Sequence, residues 1–202
     1  MVILGITGGI GSGKSYISSL LREKMDVPVY DCDAEAKRLI CEDEGIVQKL
    51  TDLVGTHVYK EGKLQKSMLA EYLFADKNHA QKVNAIVHPT VRKDFRKWVE
   101  QQQVEVAAIE SAILYESGFN AIVDKVIFVN APLELRIQRA MKRDGSSRQQ
   151  VEERISMQHT EEQQKKADYV IENDDAESVA LQEALQRILI EITAKQTERQ
   201  EV

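Results

Sequence analysis

The segment Gly8-Gly9-Ile10-Gly11-Ser12-Gly13-Lys14-Ser15 follows the order Gly-x-x-x-x-Gly-Lys-Ser. These residue types at this spacing suit phosphate chemistry. Glycines let backbone N–H groups converge on phosphate oxygens, and the start of a helix adds its partial positive charge. Lys14 then reaches the β and γ phosphates, and the Ser15 hydroxyl ligates Mg²⁺. The flanking sequence supplies the context the motif needs, a strand over 2–7 and then a helix with Ile17, Leu20, Leu21 and Met25 at helical spacing. A glycine turn without a ligand has no use for lysine and serine at those places. The expectation is a nucleoside triphosphate bound with magnesium.

Three further groups could complete a phosphoryl transfer. Asp31 and Asp33 follow the apolar run 27–30, at the carboxyl end of a strand, where open α/β sheets bind ligands. Either could orient and deprotonate an acceptor hydroxyl, or cap a helix beginning near Ala34. Beside a phosphate loop, Asp33 is favoured as the base. Glu110 ends the apolar run 104–109, the position of an acid that holds magnesium directly or through water, or else of a strand-terminal surface charge. The stretch 133–143 reads as an amphipathic helix with Leu133, Ile137, Ala140 and Met141 on one face and Arg136, Arg139 and Arg143 sharing another. Those arginines either close over the transferring phosphate or form a solvated face. His88-Pro89 reads as a helix ending before proline, with histidine near its C-terminus, and not as a metal ligand.

The elements that must position these groups alternate along the chain. Apolar β-type runs at 2–7, 27–30, 104–109, 125–129 and 169–171 are separated by helical stretches, the pattern of a parallel sheet. The last helix carries Leu181, Leu185, Ile188 and Ile192 as one buried stripe. The region 34–103 is too long for one crossover and reads as a helical insertion interrupted by Gly55, Gly62 and Pro89. Residues 133–167 form a second, charge-rich helical region with a turn at Asp144-Gly145-Ser146-Ser147, where a kinase of this architecture carries a lid.

With 202 residues, 43% hydrophobic and 30% charged, and no apolar run near bilayer length, the chain reads as one soluble domain with subdomains. Its N-terminus lacks the basic and small-residue features of a signal peptide. Cys32 and Cys41 have neither metal-ligand spacing nor a disulfide framework. The chain is expected in the cytoplasm with both thiols reduced. A net charge of −6 argues against a nucleic-acid surface, and no protein partner is evident. A GTPase-type switch would carry an Asn-Lys-x-Asp segment, which is absent.

At this level of detail the chain resembles dephospho-CoA kinases over nearly its whole length. The resemblance rests on the segment from Gly5 through the phosphate loop, Asp31-Cys32-Asp33, His88-Pro89, Leu114-Tyr115-Glu116-Ser117-Gly118, Arg139 with Arg143, and Ala167-Asp168-Tyr169-Val170-Ile171-Glu172-Asn173. It implies a three-layer α/β P-loop fold with a five-stranded parallel sheet. The core would comprise 1–33, 104–132 and 168–202, with a CoA-binding insertion over about 34–103 and a lid over about 133–167. The substrates implied are ATP, with Mg²⁺, and dephospho-CoA, whose ribose 3′-hydroxyl is phosphorylated. Gly11, Ser12, Gly13, Lys14, Ser15 and Tyr16 would then hold ATP together with Arg143 and Asn173, the latter near adenine. Asp33, Lys14 and Arg139 would be catalytic, and Asp31, Asp33, His88 and Glu116 would meet the acceptor. Departures from the family pattern are Tyr16 for threonine, Cys32 for alanine, Arg136 for glutamine, and Glu110 and Ala112 where Asp-x-Pro is usual. On the loop and lid alone, a kinase for a nucleoside, nucleotide or shikimate-like alcohol is the alternative.

Overall fold

The computed structural model describes residues 1–76, 78–174 and 179–200; within the expected core segment 168–202, residues 175–178, 201 and 202 lie outside that description. In chain order the elements are β1 (Val2–Gly8), α1 (Lys14–Lys24), β2 (Val29–Asp31), α2 (Cys32–Glu42), α3 (Glu44–Val54), β3 (Tyr59–Lys60), β4 (Lys63–Leu64), α4 (Lys66–Ala75) and α5 (His79–Glu100). There follow β5 (Val106–Glu110), β6 (Lys125–Asn130), α6 (Leu133–Asp144), α7 (Arg148–Ser156), α8 (Thr160–Lys166), β7 (Tyr169–Glu172) and α9 (Val179–Gln200). The chain forms two compact units, one of residues 1–30 with 102–202 and one of residues 31–101. No described helix is long and apolar enough to cross a membrane.

In the first unit the sheet is parallel, with strand order β2-β5-β1-β6-β7. The central strand β1 pairs Leu4 with Ala108 on one side and Thr7 with Phe128 on the other. A strand covered on both faces has no polar side to show, and β5 is accordingly buried at every position. Ile17, Leu20 and Leu21 of α1 and Leu181, Leu185, Ile188 and Ile192 of α9 are buried in the same cluster as Leu4, Ile6, Ile127 and Val129, so both helical stripes cover the sheet. Strand β2 starts later than its apolar run, because Pro28 has no N–H for a ladder and serves only as acceptor, for Ala108 N–H.

In the second unit α5 passes through Pro89 unbroken, so His88 lies mid-helix and does not end one. A mid-helix proline costs about 3 kcal/mol. Val83, Val87, Val91 and Phe95, all buried on one stripe of α5, return about 1.5–3 kcal/mol each, and packing wins. A β3–β4 hairpin also interrupts this mostly helical unit. Its turn residues Glu61 and Gly62 both have positive φ, 52° and 74°, the two-residue geometry that matches strand twist.

Candidate active site

The phosphate loop joins β1 to α1. Gly13 sits at the α1 N-cap with φ 93° and ψ 27°, and no side chain caps the helix. A side chain at Gly13 would meet Asn173 Nδ2, and one at Gly11 would meet the Arg136 carbonyl. Among the described contacts, the N–H groups of Gly11, Gly13 and Ser15 find no protein acceptor. Unsatisfied N–H groups at a helix start form a site for an anion. The Lys14 ammonium lies along the loop, donating to the carbonyls of Gly8 at 2.9 Å and Gly9 at 3.2 Å. Tyr16 packs partly buried against the core cluster.

Other groups of the same loop are tied to residues far along the chain. Ile10 N–H donates to Gln158 Oε1 at 2.8 Å, and the Ile10 carbonyl accepts from Arg136 Nε at 2.9 Å. The Ser12 carbonyl accepts from Asn173 Nδ2 at 2.8 Å, and Arg139 donates to the Asn173 carbonyl at 2.9 Å. Asn173 is buried, and its backbone N–H donates to Asn130, which extends the β6–β7 pairing to the loop.

The three arginines of α6 do not converge. Arg136 is only 8% exposed, its Nη2 has no partner, and burial holds its guanidinium pKa below the ordinary range. Arg139 is half-buried at Asn173. Arg143 lies exposed one turn further and forms two hydrogen bonds with Asp144. Arg143 first, then Arg154, holds the Asp144 carboxyl down at about 2. Ile137 and Ala140 are buried as the pattern predicts and Met141 packs partly buried against them, but Leu133 is 57% exposed.

Glu110, the last residue of β5, faces α1. Its Oε1 accepts from Ser15 Oγ at 3.0 Å and its Oε2 from Ser18 Oγ at 2.6 Å. The carboxylate is 7% exposed, and none of the described ion pairs involves it. A surface charge is therefore the wrong description of Glu110. No group of three or more His, Cys, Asp or Glu among the described residues could hold a metal alone. One hydroxyl and one carboxylate suit magnesium, which keeps waters and binds through one or two carboxylates and substrate phosphates.

In the second unit, Asp31 caps α2: its Oδ1 accepts from the N–H groups of Asp33 and Ala34, each at 3.0 Å. The helix thus begins at Cys32, two residues before the expected start. Asp33 is exposed, and no described hydrogen bond engages its carboxylate. His88 is half-buried on α5, and burial, then Arg92, lowers its pKa. In the first unit, Glu116 accepts from Gln163 of α8 at 2.6 Å.

Ser18, Gln158 and Gln163 hydrogen-bond to Glu110, Ile10 and Glu116, and the sequence reading missed them. Ser18 had a signal, its i+3 spacing from Ser15 on one helix. The two glutamines had none, since neither spacing nor charge marks them.

A family model described as dephospho-CoA kinase matches residues 2–178. A dephospho-CoA kinase of Bacteroides fragilis is 49% identical over 173 residues, covering 85% of this chain and 84% of that protein. The crystal structure of TT1252 from Thermus thermophilus superposes with a TM-score of 0.80 at 35% identity, covering 94% of this chain and 97% of that one. Dephospho-CoA kinase from Campylobacter jejuni shares the fold, with a TM-score of 0.69 at 24% identity over 96% of this chain and 98% of that one. The loop geometry, the Ser15–Glu110 pair and these matches together make the chain a member of the dephospho-CoA kinase family.

Proposed function

We propose that this kinase transfers the γ-phosphoryl group of ATP to the ribose 3′-hydroxyl of dephospho-CoA, giving coenzyme A and ADP, in the cytoplasm. The observation that carries the donor half is the loop with N–H groups of Gly11, Gly13 and Ser15 unpaired at the start of α1. Family membership supplies the acceptor.

Phosphoryl transfer asks the protein mainly for positioning and charge stabilisation. Lys14 follows the β and γ phosphates and neutralises charge as the bond from phosphorus to the β–γ bridging oxygen breaks. Arg139 and Arg143 add positive charge from the lid helix, and Asn173 holds the Ser12 carbonyl so that the loop keeps its shape. Ser15 and Glu110 are the residues that would hold magnesium. Held there, magnesium would supply Lewis-acid stabilisation of the charge that develops on the transferring phosphoryl group. Asp33 takes the proton of the attacking 3′-hydroxyl, while Asp31 fixes the turn that presents it. His88 and Glu116 contribute to the acceptor site.

The test offers purified protein ATP and magnesium with dephospho-CoA, AMP, CMP or shikimate in turn, and follows ADP release. Release only with dephospho-CoA is expected; release without acceptor, or preference for another, refutes the assignment. Asp33→Asn should retain ATP binding and lose turnover. Near-normal turnover would show that Asp33 is not the base. Lys14→Ala should raise the barrier by roughly 3–4 kcal/mol, the scale of a removed electrostatic group.

A further inference from the structure

We propose that Ser18 is a positioning residue of the metal site, acting through Glu110 and touching neither nucleotide nor metal. The proposal rests on the reading of Glu110 as the metal-holding acid.

Ser15 and Ser18 stand three residues apart on α1, so their hydroxyls share a face. Glu110 comes to that face from the end of β5, and each serine takes one of its oxygens. The two bonds differ. Ser15 is exposed, at the mouth of the phosphate loop, and its bond is 3.0 Å. Ser18 is wholly buried, and its bond is 2.6 Å, the length of a strong hydroxyl-to-carboxylate bond. No bound ligand reaches a hydroxyl that is 0% exposed. Ser18 can therefore influence the site only through the carboxylate it holds.

A glutamate has one more rotatable bond than an aspartate at this place, so its head group needs a second fixed point. Ser18 provides one. With Oε2 pinned in the interior, Oε1 is directed at Ser15, whose hydroxyl can donate to Glu110 and still offer a lone pair outward. Without Ser18, Oε2 is buried with no donor, and the carboxylate rotates away from Ser15 to find one. Partners that orient a metal-holding group are the usual means by which a protein tunes such a site.

The test measures Mn²⁺ binding to the ADP-loaded protein by electron paramagnetic resonance of free Mn²⁺, alongside ADP affinity in EDTA. Ser18→Ala should weaken Mn²⁺ binding about tenfold, the lower end of the effect of removing an orienting partner, with ADP affinity in EDTA unchanged. Glu110→Gln should weaken Mn²⁺ binding at least as much, and the double variant should be no weaker than Glu110→Gln alone, since Ser18 acts only through that side chain. If Glu110→Gln weakens Mn²⁺ binding and Ser18→Ala does not, or if the two losses multiply in the double variant, Ser18 has no positioning role. Equal loss of ADP affinity in EDTA by Ser18→Ala would reveal a merely structural hydroxyl and overturn the proposal. Full Mn²⁺ affinity in Glu110→Gln would instead overturn the reading of Glu110 itself.

Discussion

Replacing Gly13 by alanine tests the geometry of the phosphate loop in two separable parts. The residue sits at φ 93°, a left-handed conformation that costs a residue with a Cβ about 1–2 kcal/mol. The added methyl also runs into Asn173 Nδ2. That amide must then leave the Ser12 carbonyl, which it now meets at 2.8 Å in the interior. Stranding a buried donor or acceptor costs about 1–3 kcal/mol, so the sum is about 2–5 kcal/mol. At roughly 2–4 °C per kcal/mol for a chain of this size, Tm should fall by about 4–20 °C, read by scanning calorimetry. Asn173→Ala alone loses the same hydrogen bond but none of the backbone strain. The double variant should therefore be less harmed than the sum of the singles, by about 1–3 kcal/mol. Strict additivity, or a loss below about 1 kcal/mol for Gly13→Ala, would refute the claim that Asn173 and Gly13 are packed against each other.

Leu185→Ala removes a wholly buried side chain from the sheet-covering stripe of α9 and should cost about 2–5 kcal/mol in thermal unfolding; a loss under 1 kcal/mol on that scale would mean that α9 is not part of the core. Ser147 closes a reciprocal capping box with Gln150 at the start of α7, so Ser147→Ala should cost about 1 kcal/mol and speed amide exchange in the first turn of α7. Unchanged exchange there would discount the cap. His88 is held below its ordinary pKa of 6.5, so the unfolded chain binds that proton at higher pH than the folded one. Its contribution is full above about pH 6.5 and is lost as the pH falls through the lower folded value. His88→Asn should flatten the acid side of the stability profile, and a profile as steep as the parent's would assign the loss to other groups.

Much of the first unit was legible because its signals are local. The stripe Ile17, Leu20, Leu21 and Met25 and the stripe Leu181, Leu185, Ile188 and Ile192 name a buried face by spacing alone; seven of these eight side chains are buried, and Met25 packs partly buried against the same cluster. The phosphate loop carries its chemistry in consecutive residues. Where the reading failed, long-range packing outweighed a local rule. Pro89 marks a break in sequence, yet α5 continues through it because four buried side chains hold both halves on one face. Spacing also does not name partners: the α6 arginines share a helical side at i, i+3 and i+7, yet Arg136 bonds the Ile10 carbonyl, Arg139 the Asn173 carbonyl and Arg143 the adjacent Asp144. For Asp31 and Asp33 the residue types allowed either a cap or a base. Two backbone N–H groups settle the cap on Asp31, a distinction of hydrogen bonding that no residue pattern encodes.

Gly9 shows how a loop glycine can answer to something other than phosphate. A Cβ there would overlap the Arg136 guanidinium at Nη2, the atom that has no hydrogen-bond partner. Stranding a buried donor costs on the order of 1–3 kcal/mol, a loss partly offset by the Arg136 Nε bond to the Ile10 carbonyl. That same residue's N–H is held by Gln158. One residue of the donor loop is thus gripped at its carbonyl by α6 and at its N–H by the segment after α7. Loop shape and the start of α6 are therefore one mechanical piece: α6 cannot shift relative to β1 without either breaking the Ile10 bond or dragging the phosphate loop along. The glycine at position 9 is what lets a side chain as large as arginine lie close enough to make that connection, so the residue types of loop and helix are matched to each other as well as to the nucleotide.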